Sequence, residues 1–598
     1  MNFTQSLFSI GQFDFKLNHL LIIAILSLSF STSFLLRSQP ADWGWELNEF
    51  DPFFNYRATE YLLNNGIDAY FQWNDELSWY PHGRDVSQTS QVILHLTAAT
   101  TYSIFGPGDL YDFTILFPAI FGSLTGIVLF GLVRIIGGTT AGLLSALLFS
   151  ISLPIIVRGQ IGWFKSEPLG LFFGVLGIYL FLSGINSKNY KIGFAKLLSA
   201  GIITMFSLSA WGGSQFLIIP LGIFFFVLPF LRNDHKFLVC AIPLFTISIL
   251  ITSLGFERLS TNFIFGLGGI TLIVPTIFLI SCIIVQNKSN PSNKTRNGIM
   301  FVVITLIVVG SLMSFSINND LINLPSFRYL NAVNPFLTTT DPLVDSVSEH
   351  ATTTIQQSFL FHSVLMMFAG LGIWLLLKNS RKFNFVKNDM IVFSLIFGLL
   401  GVYVSSTFVR LEVFASLSII ILSSLGIMIL LKLFLSNNVK LNNSKKLTKK
   451  ILFLVGLIIF LSLPLGYPEN NTIFGLTDNP PTIINGGTIF QKSSNDWNHS
   501  LEWIKNNTSK DAVIASWWDY GYWIQAKAER ATLADNSTLN DHIIKKIAKI
   551  FTNNPDEAWN DLDSMDADYF LVFIAARELN VVGADNQNLY ILEGGGDE

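Results

Sequence analysis

Charge is scarce in this 598-residue chain. Asp, Glu, Lys and Arg together make up 13% of it, about half the share of an ordinary soluble protein. That scarcity argues against one soluble body of this length. Basic excess is also missing. The net charge is −4, which excludes the electrostatic footprint of a nucleic-acid binder. Only two cysteines occur, Cys240 and Cys282, both inside apolar runs. An exported part therefore has no disulfides, and cysteine pairing says nothing about compartment. No small-residue cleavage site follows the first apolar run, 17–36. Acidic and aromatic residues follow instead, so the run reads as a permanent membrane helix that can also act as the export signal. The apolar runs themselves are nearly free of ionisable groups. A transporter or channel needs such groups near the membrane midplane, so that class is set aside.

What the chain has is apolar length. It is 51% hydrophobic, with 54 phenylalanines. The apolar residues fall in runs of about 17–24, enough to cross a bilayer. About thirteen spans are expected, near 17–36, 110–134, 139–157, 167–185, 194–211, 213–231, 236–254, 263–286, 298–316, 359–377, 388–408, 411–435 and 451–466. The stretch 86–105 is apolar but carries Gln88, Gln91, His95 and several Thr, and is read as an interfacial or loop helix. With a cytoplasmic amino terminus, alternate loops hold the Lys and Arg clusters. Lys188, Lys191 and Lys196 mark one such loop, Lys378, Arg381, Lys382 and Lys387 another, and Lys445, Lys446, Lys449 and Lys450 a third. That is the positive-inside pattern. It puts the loops 38–109, 158–166 and 317–358, and the tail after 466, on the extracytoplasmic side.

The division that follows is a membrane domain over 1–466 and an extracytoplasmic domain over 467–598. In the tail, Asp511 to Ser516 and Asp568 to Ala575 read as short buried strands. The patterns near 495–506 and 540–552 read as amphipathic helices. The fold class expected is a polytopic α-helical membrane protein with a C-terminal mixed α/β domain. No solenoid repeat is visible.

The extracytoplasmic segments hold most of the candidate chemistry. In Glu49-Phe50-Asp51-Pro52-Phe53-Phe54, acids packed among aromatics need a cation to stay ionised. Asp51 is a candidate metal ligand, with Glu49 second. It is equally an N-cap ahead of a proline at the first helical position. In Arg158 to Glu167 (RGQIGWFKSE), Glu167 opens a helix. It reads as a first-turn acid favoured by the dipole or as an oxygen ligand to a hard divalent cation. Glu349 lies beside His350 within a loop of some 40 residues, long enough to be functional or disordered. Ser516-Trp517-Trp518-Asp519-Tyr520-Gly521-Tyr522-Trp523 is a core turn, or a pocket with indole walls in which Asp519 accepts a hydrogen bond. Arg410 borders an apolar run, where arginine either snorkels or meets a lipid phosphate. All these sites are expected on one side of the membrane, which suggests a lipid-borne, phosphate-containing substrate.

Together these segments resemble the catalytic subunit of oligosaccharyltransferase in its archaeal form. WWDYGYW at 517–523 is the family's signature. EFDPFFNYR (49–57), WYPHGR (79–84), SVSEH (346–350), FVRLEVF (408–414) and ADNSTLN (534–540) look like family segments in the family's order. The resemblance implies a GT-C type fold and a dolichol-phosphate or -pyrophosphate oligosaccharide as donor. It implies acceptor polypeptides carrying Asn-x-Ser/Thr, membrane lipid around the chain, and a single-subunit enzyme at the cell membrane. By the same resemblance Asp51 and Glu349 are catalytic and bind Mg²⁺ or Mn²⁺. Trp517, Trp518 and Asp519 hold the Ser or Thr of the acceptor, and Arg158, Arg410 and Tyr522 hold donor phosphate.

Two departures bear on this. The second acidic motif reads Lys165-Ser166-Glu167, and a protonated lysine does not ligate a metal. Glu167 then ligates alone, His82 enters the shell, or the amine neutralises a donor phosphate. Such a replacement is also compatible with an inactive relative. Second, the chain stops at Gly594-Gly595-Gly596-Asp597-Glu598, about where a further helix of the family begins, and the resemblance implies a longer natural chain. The competing function is another membrane glycosyltransferase that uses a polyprenyl-phosphate sugar with a hydroxyl or lipid acceptor. It would lack the WWDYG cluster. Sequons at Asn470, Asn498, Asn506, Asn507 and Asn536 are frequent by chance in an Asn-rich chain, and Asn536 is expected to be structural.

Overall fold

The computed structural model describes residues 6–10, 13–106, 108–318, 347–382, 385–435, 443–466, 472–486, 493–574, 576–579 and 589–592. The Asn470 sequon, Ser346, most of the loop 317–358 and Gly594–Glu598 lie outside them. Among the described residues, ten helices are long and apolar enough to cross a membrane, and eleven if one bent pair counts as a span. The chain is thus a polytopic helical membrane protein with some sheet toward its carboxy terminus.

Three expected spans differ in form. The stretch 139–157 is broken into Thr139–Ser150 and Leu153–Val157. Pro154 sits in the first turn of the second piece, where its missing N–H costs nothing but where the preceding helix must stop. The stretch 359–377 is bent by 83° between Ile355–His362 and Val364–Lys378. Ser363 carries the bend at φ 41°. The last span lies in Asn443–Gly466, whose first turns hold four lysines, and it falls outside the ten. The stretch 86–105 forms Val86–Thr89 and the short apolar helix Val92–Phe105.

Two compact units divide the chain. The first contains residues up to Arg37, Ile120–Arg158 and Glu167–Thr477. At its centre lies Glu412–Leu435, buried at every position from Glu412 to Ile429. A helix apolar all round is buried all round. It crosses Val364–Lys382 at Gly426 and Gly372, where a Cβ on either residue would strike the other helix's backbone, the close approach that small residues permit between membrane helices. Its first residue, Glu412, accepts from His362 Nε2 at 2.8 Å and Ser358 Oγ at 3.3 Å.

The second unit contains Ser38–Ala119, Gly159–Ser166 and the chain from Asp478. The tail therefore clusters with two loops expected to belong to the membrane domain. Bonds between distant segments explain this. Trp43 Nε1 donates to Asp478 at 2.7 Å, and Thr482 N and Oγ1 both donate to Asn48 Oδ1 at 3.0 Å. Backbone bonds join Tyr80 to Thr532 and Thr532 to Leu77.

The unit's sheet has three parallel strands, with Val513–Ser516 between Ala531–Thr532 and Tyr569–Leu571. Every residue of the central strand is buried. The expected strands are present but shorter than 511–516 and 568–575. The expected amphipathic helices are Asp496–Asn507 and Asp541–Thr552, burying Trp497, Leu501 and Ile504, and Ile544, Ile547 and Ile550.

Candidate active site

Within the second unit the motif segments fold onto one buried cation. Helix Asp51–Phe71 begins at the first acidic motif, with Pro52 in its first turn. One turn along, Phe54 stacks on Tyr522 at 5.1 Å. Arg84, 3% exposed, lies 4.1 Å from the centroid of the Phe54 ring. Its Nη1 donates to the Tyr522 hydroxyl at 2.7 Å and its Nε to Thr89 Oγ1 at 2.8 Å. Burial lowers the pKa of Arg84, but Tyr522, Asp535 and Asp75 outweigh it and hold the guanidinium above its ordinary value. Beside it, Trp79 Nε1 donates to Asp535 Oδ1 at 3.1 Å. Segments 49–57, 79–84, 517–523 and 534–540 are thus joined by direct contacts.

Asp51 is not a capping residue. The helix is assigned from Asp51 onward, and no side chain caps it. Its Oδ2 instead lies 3.1 Å from Lys165 Nζ, and the same ammonium is 3.4 Å from Glu49 Oε2. The lysine side chain is 8% exposed, the two carboxylates 29% and 35%. Glu49 has φ 70°, a conformation a glutamate adopts only when its surroundings impose it. Trp523 Nε1 donates to its carbonyl at 3.1 Å, and its own N–H donates to Thr482 Oγ1 at 3.3 Å.

Trp517 is half-buried and Trp518 buried, and their rings lie 6.0 Å apart. Trp517 meets Phe551 edge-on. The indole N–H of Trp518 is sealed from solvent with no hydrogen-bond partner among the described residues. Half-buried Asp519 accepts from Asn536 Nδ2 at 3.4 Å, so Asn536 serves this turn. Tyr522 is buried and its hydroxyl turned to Arg84. Burial pushes that hydroxyl's pKa well up.

Within the first unit four charged residues assemble. Arg158 Nη1 lies 2.7 Å from Glu349 and 3.6 Å from Glu167. Arg410 lies 2.7 Å from Glu167 and 3.1 Å from Glu349. Two carboxylates and two guanidiniums thus meet in one cluster. The rings of His350 and Phe408 are 5.1 Å apart, and Val409 N donates to the Ala351 carbonyl, so segments 346–350 and 408–414 also meet.

The expected metal shell was tested on its donors. His82 is exposed. Among the described residues no three His, Cys, Asp or Glu side chains come together as metal ligands. Asp51, Glu167 and Glu349 each face a lysine or arginine. A hard divalent cation asks for several oxygens free of competing cations, and this donor set fits one poorly.

Sequence reasoning missed Arg84, Asn55 and His95. Their signal was present as polar residues inside aromatic-rich or apolar stretches. His95 is fully buried, with Nδ1 2.6 Å from the Tyr70 hydroxyl and Nε2 2.9 Å from Asn55 Oδ1. Burial pushes its pKa down to about 3.

Comparison with known proteins decides the family. The description "Oligosaccharyl transferase STT3, N-terminal" matches residues 20–365, and "STT3/PglB/AglB core domain" matches 509–581. The chain belongs to the STT3 family. It is therefore an oligosaccharyltransferase catalytic subunit, a glycosyltransferase. The STT3 subunit of the dolichyl-diphosphooligosaccharide–protein glycosyltransferase of Dictyostelium discoideum is 27% identical over 97% of this chain and 81% of its own length. Among solved structures, the Archaeoglobus fulgidus oligosaccharyltransferase AglB with an inhibitory peptide and a dolichol-phosphate superposes with a TM-score of 0.71. It has 17% identity and covers 92% of this chain and 69% of that one. The same archaeal enzyme with zinc and sulfate gives 0.67 at 16% identity, over 91% and 67% of the two chains. At these identities the superpositions speak for the fold, which this STT3-family chain shares.

Proposed function

We propose that this STT3-family chain transfers a glycan from a dolichol-phosphate or -pyrophosphate donor to the side-chain amide of asparagine in Asn-x-Ser/Thr segments. The observation that carries the reading is the turn 517–523. A half-buried carboxylate, Asp519, follows the paired indoles of Trp517 and Trp518 in this turn. A carboxylate walled by indole rings suits a serine or threonine hydroxyl, which donates to it. A site that bonds a hydroxyl rejects analogues lacking one. The competing reading, a hydroxyl or lipid acceptor, gives this turn no task.

The amide nitrogen is a poor nucleophile because its lone pair is delocalised. We assign Asp51 to accept an amide N–H, which frees the lone pair as one proton passes to that carboxylate, and carry Glu349 over from the resemblance as the other catalytic carboxylate. Nitrogen attacks the anomeric carbon, the bond to the donor phosphate breaks, and configuration inverts. Arg158 and Arg410 balance the charge of the departing phosphate, and Tyr522 positions Arg84. The divalent-cation reading, Mn²⁺ or Mg²⁺ on Asp51, Glu167 and Glu349, is supported only at the level of the zinc-bearing archaeal relative.

From its Lys and Arg distribution we read the protein as a multi-pass membrane protein with a cytoplasmic amino terminus and its chemistry on the opposite face; the archaeal cell membrane is taken from the resemblance alone. We also read it as active without partner subunits, although curated relatives are named as subunits. The test is transfer by the purified chain to a fluorescent Asn-x-Thr peptide with membrane donor lipid. A glycosylated band supports the reading. Equal transfer to an Asn-x-Ala peptide, or none from any dolichol-linked donor, overturns it.

A further inference from the structure

We propose that Lys165 is a built-in cation for the first acidic motif. Its ammonium takes the charge-balancing place beside Asp51 that a divalent metal would otherwise hold, and transfer is accordingly independent of added metal. The proposal rests on the function given above.

Geometry carries it. Lys165 Nζ lies 3.1 Å from Asp51 Oδ2 and 3.4 Å from Glu49 Oε2. A lysine side chain only 8% exposed needs anions beside it to offset its lost hydration, and two are present. The backbone delivers it there. Gly162 N donates to the Ile115 carbonyl at 2.8 Å, and the Gly162 carbonyl accepts from Asn48 N at 2.9 Å, one residue before Glu49. Gly162 sits at φ +76° against the backbone of 46–48, where a side chain has no room. Next to the lysine, the Phe164 carbonyl accepts from Asn55 Nδ2 at 2.8 Å, one helical turn after Asp51. Asn55 is fixed in turn by buried His95. The loop is therefore pinned on both sides of Trp163, to the backbone just before Glu49 and to the helix of Asp51, and Lys165 follows from that anchorage. A divalent ion on Asp51 would face an ammonium of like charge within contact distance.

The test uses the full chain in detergent. Mn²⁺ is titrated against wild type and Lys165→Asp with free Mn²⁺ read by electron paramagnetic resonance. Wild type is expected to show no saturable site below about 1 mM, and Lys165→Asp to gain one at least tenfold tighter. Saturable binding by wild type in the micromolar range overturns the proposal. In parallel, wild-type transfer is measured after exhaustive EDTA treatment, with and without Mn²⁺. Rates within twofold of each other are expected. A loss of tenfold or more that Mn²⁺ restores overturns the proposal and leaves the function standing. Absence of transfer under every condition overturns the function, and the wild-type Mn²⁺ titration then decides the lysine's role alone. The wild-type arms hold even where Lys165→Asp fails to fold.

Discussion

Arg158 donates a hydrogen bond to Glu349 at 2.7 Å across 191 positions of sequence, and the second guanidinium of the set, Arg410, holds the other oxygen of the same carboxylate. A carboxylate gripped by two arginines is held in a fixed orientation, which is what an acceptor of an amide N–H requires.

Glu349→Gln and Asp51→Asn keep shape and remove charge. Each is expected to lower peptide transfer by at least about 100-fold, the scale on which a group acting at the transition state is felt, while thermal unfolding moves little because both side chains are partly exposed. Turnover within threefold of wild type for either variant would remove that residue from the chemistry.

Asp519→Ala is expected to lower transfer to Asn-x-Thr peptides by about 5- to 150-fold while binding of the donor lipid persists. The acceptor's hydroxyl loses its partner in a half-buried pocket, at a cost of about 1–3 kcal/mol. Affinity measured separately for peptide and for donor checks it, and parallel loss of both contradicts a role confined to the acceptor.

Arg84→Met should destabilise the second unit without touching the charged set of the first. It removes the face contact with Phe54 and the hydrogen bonds to Tyr522 and Thr89. A loss of about 2–4 kcal/mol follows from a desolvated cation–π contact plus charge-assisted hydrogen bonds. Unfolding followed by tryptophan fluorescence should report a lower midpoint. An unchanged midpoint would mean that the cation is not what joins these segments.

His95 makes stability depend on pH. Its folded pKa is depressed to about 3 by burial, against about 6.5 unfolded. Between those values the unfolded chain binds a proton that the folded one does not. The contribution is therefore complete above about pH 6.5 and is lost as pH falls toward 3. Between pH 7 and 4.5 that is about 2–3 kcal/mol. His95→Gln, which keeps a polar group but cannot titrate, should flatten this slope in unfolding midpoints measured across the window. An equal slope in the variant would assign the effect to other groups.

Much of this protein was legible in one dimension. Helices that cross a bilayer need only length and apolar composition, so most of the spans follow from the residue string, as do the amphipathic helices Asp496–Asn507 and Asp541–Thr552. Motif residues such as Asp51, Asp519 and Arg410 stood out because charge beside aromatics or at a span's mouth is costly. What the string could not give is where a span breaks or which distant segments meet. The 83° bend at Ser363 and the break before Pro154 depend on packing rather than on composition. Lys165 read as a missing ligand, and only the tertiary fold gave it partners, through bonds that bring 159–166 against Glu49 and Asp51. Tyr522 stood in a recognisable motif, and only the fold paired its hydroxyl with Arg84. Hydropathy is local and additive along a chain, whereas pairing of charges is decided by contacts tens or hundreds of residues apart, and those exist only once the chain has folded.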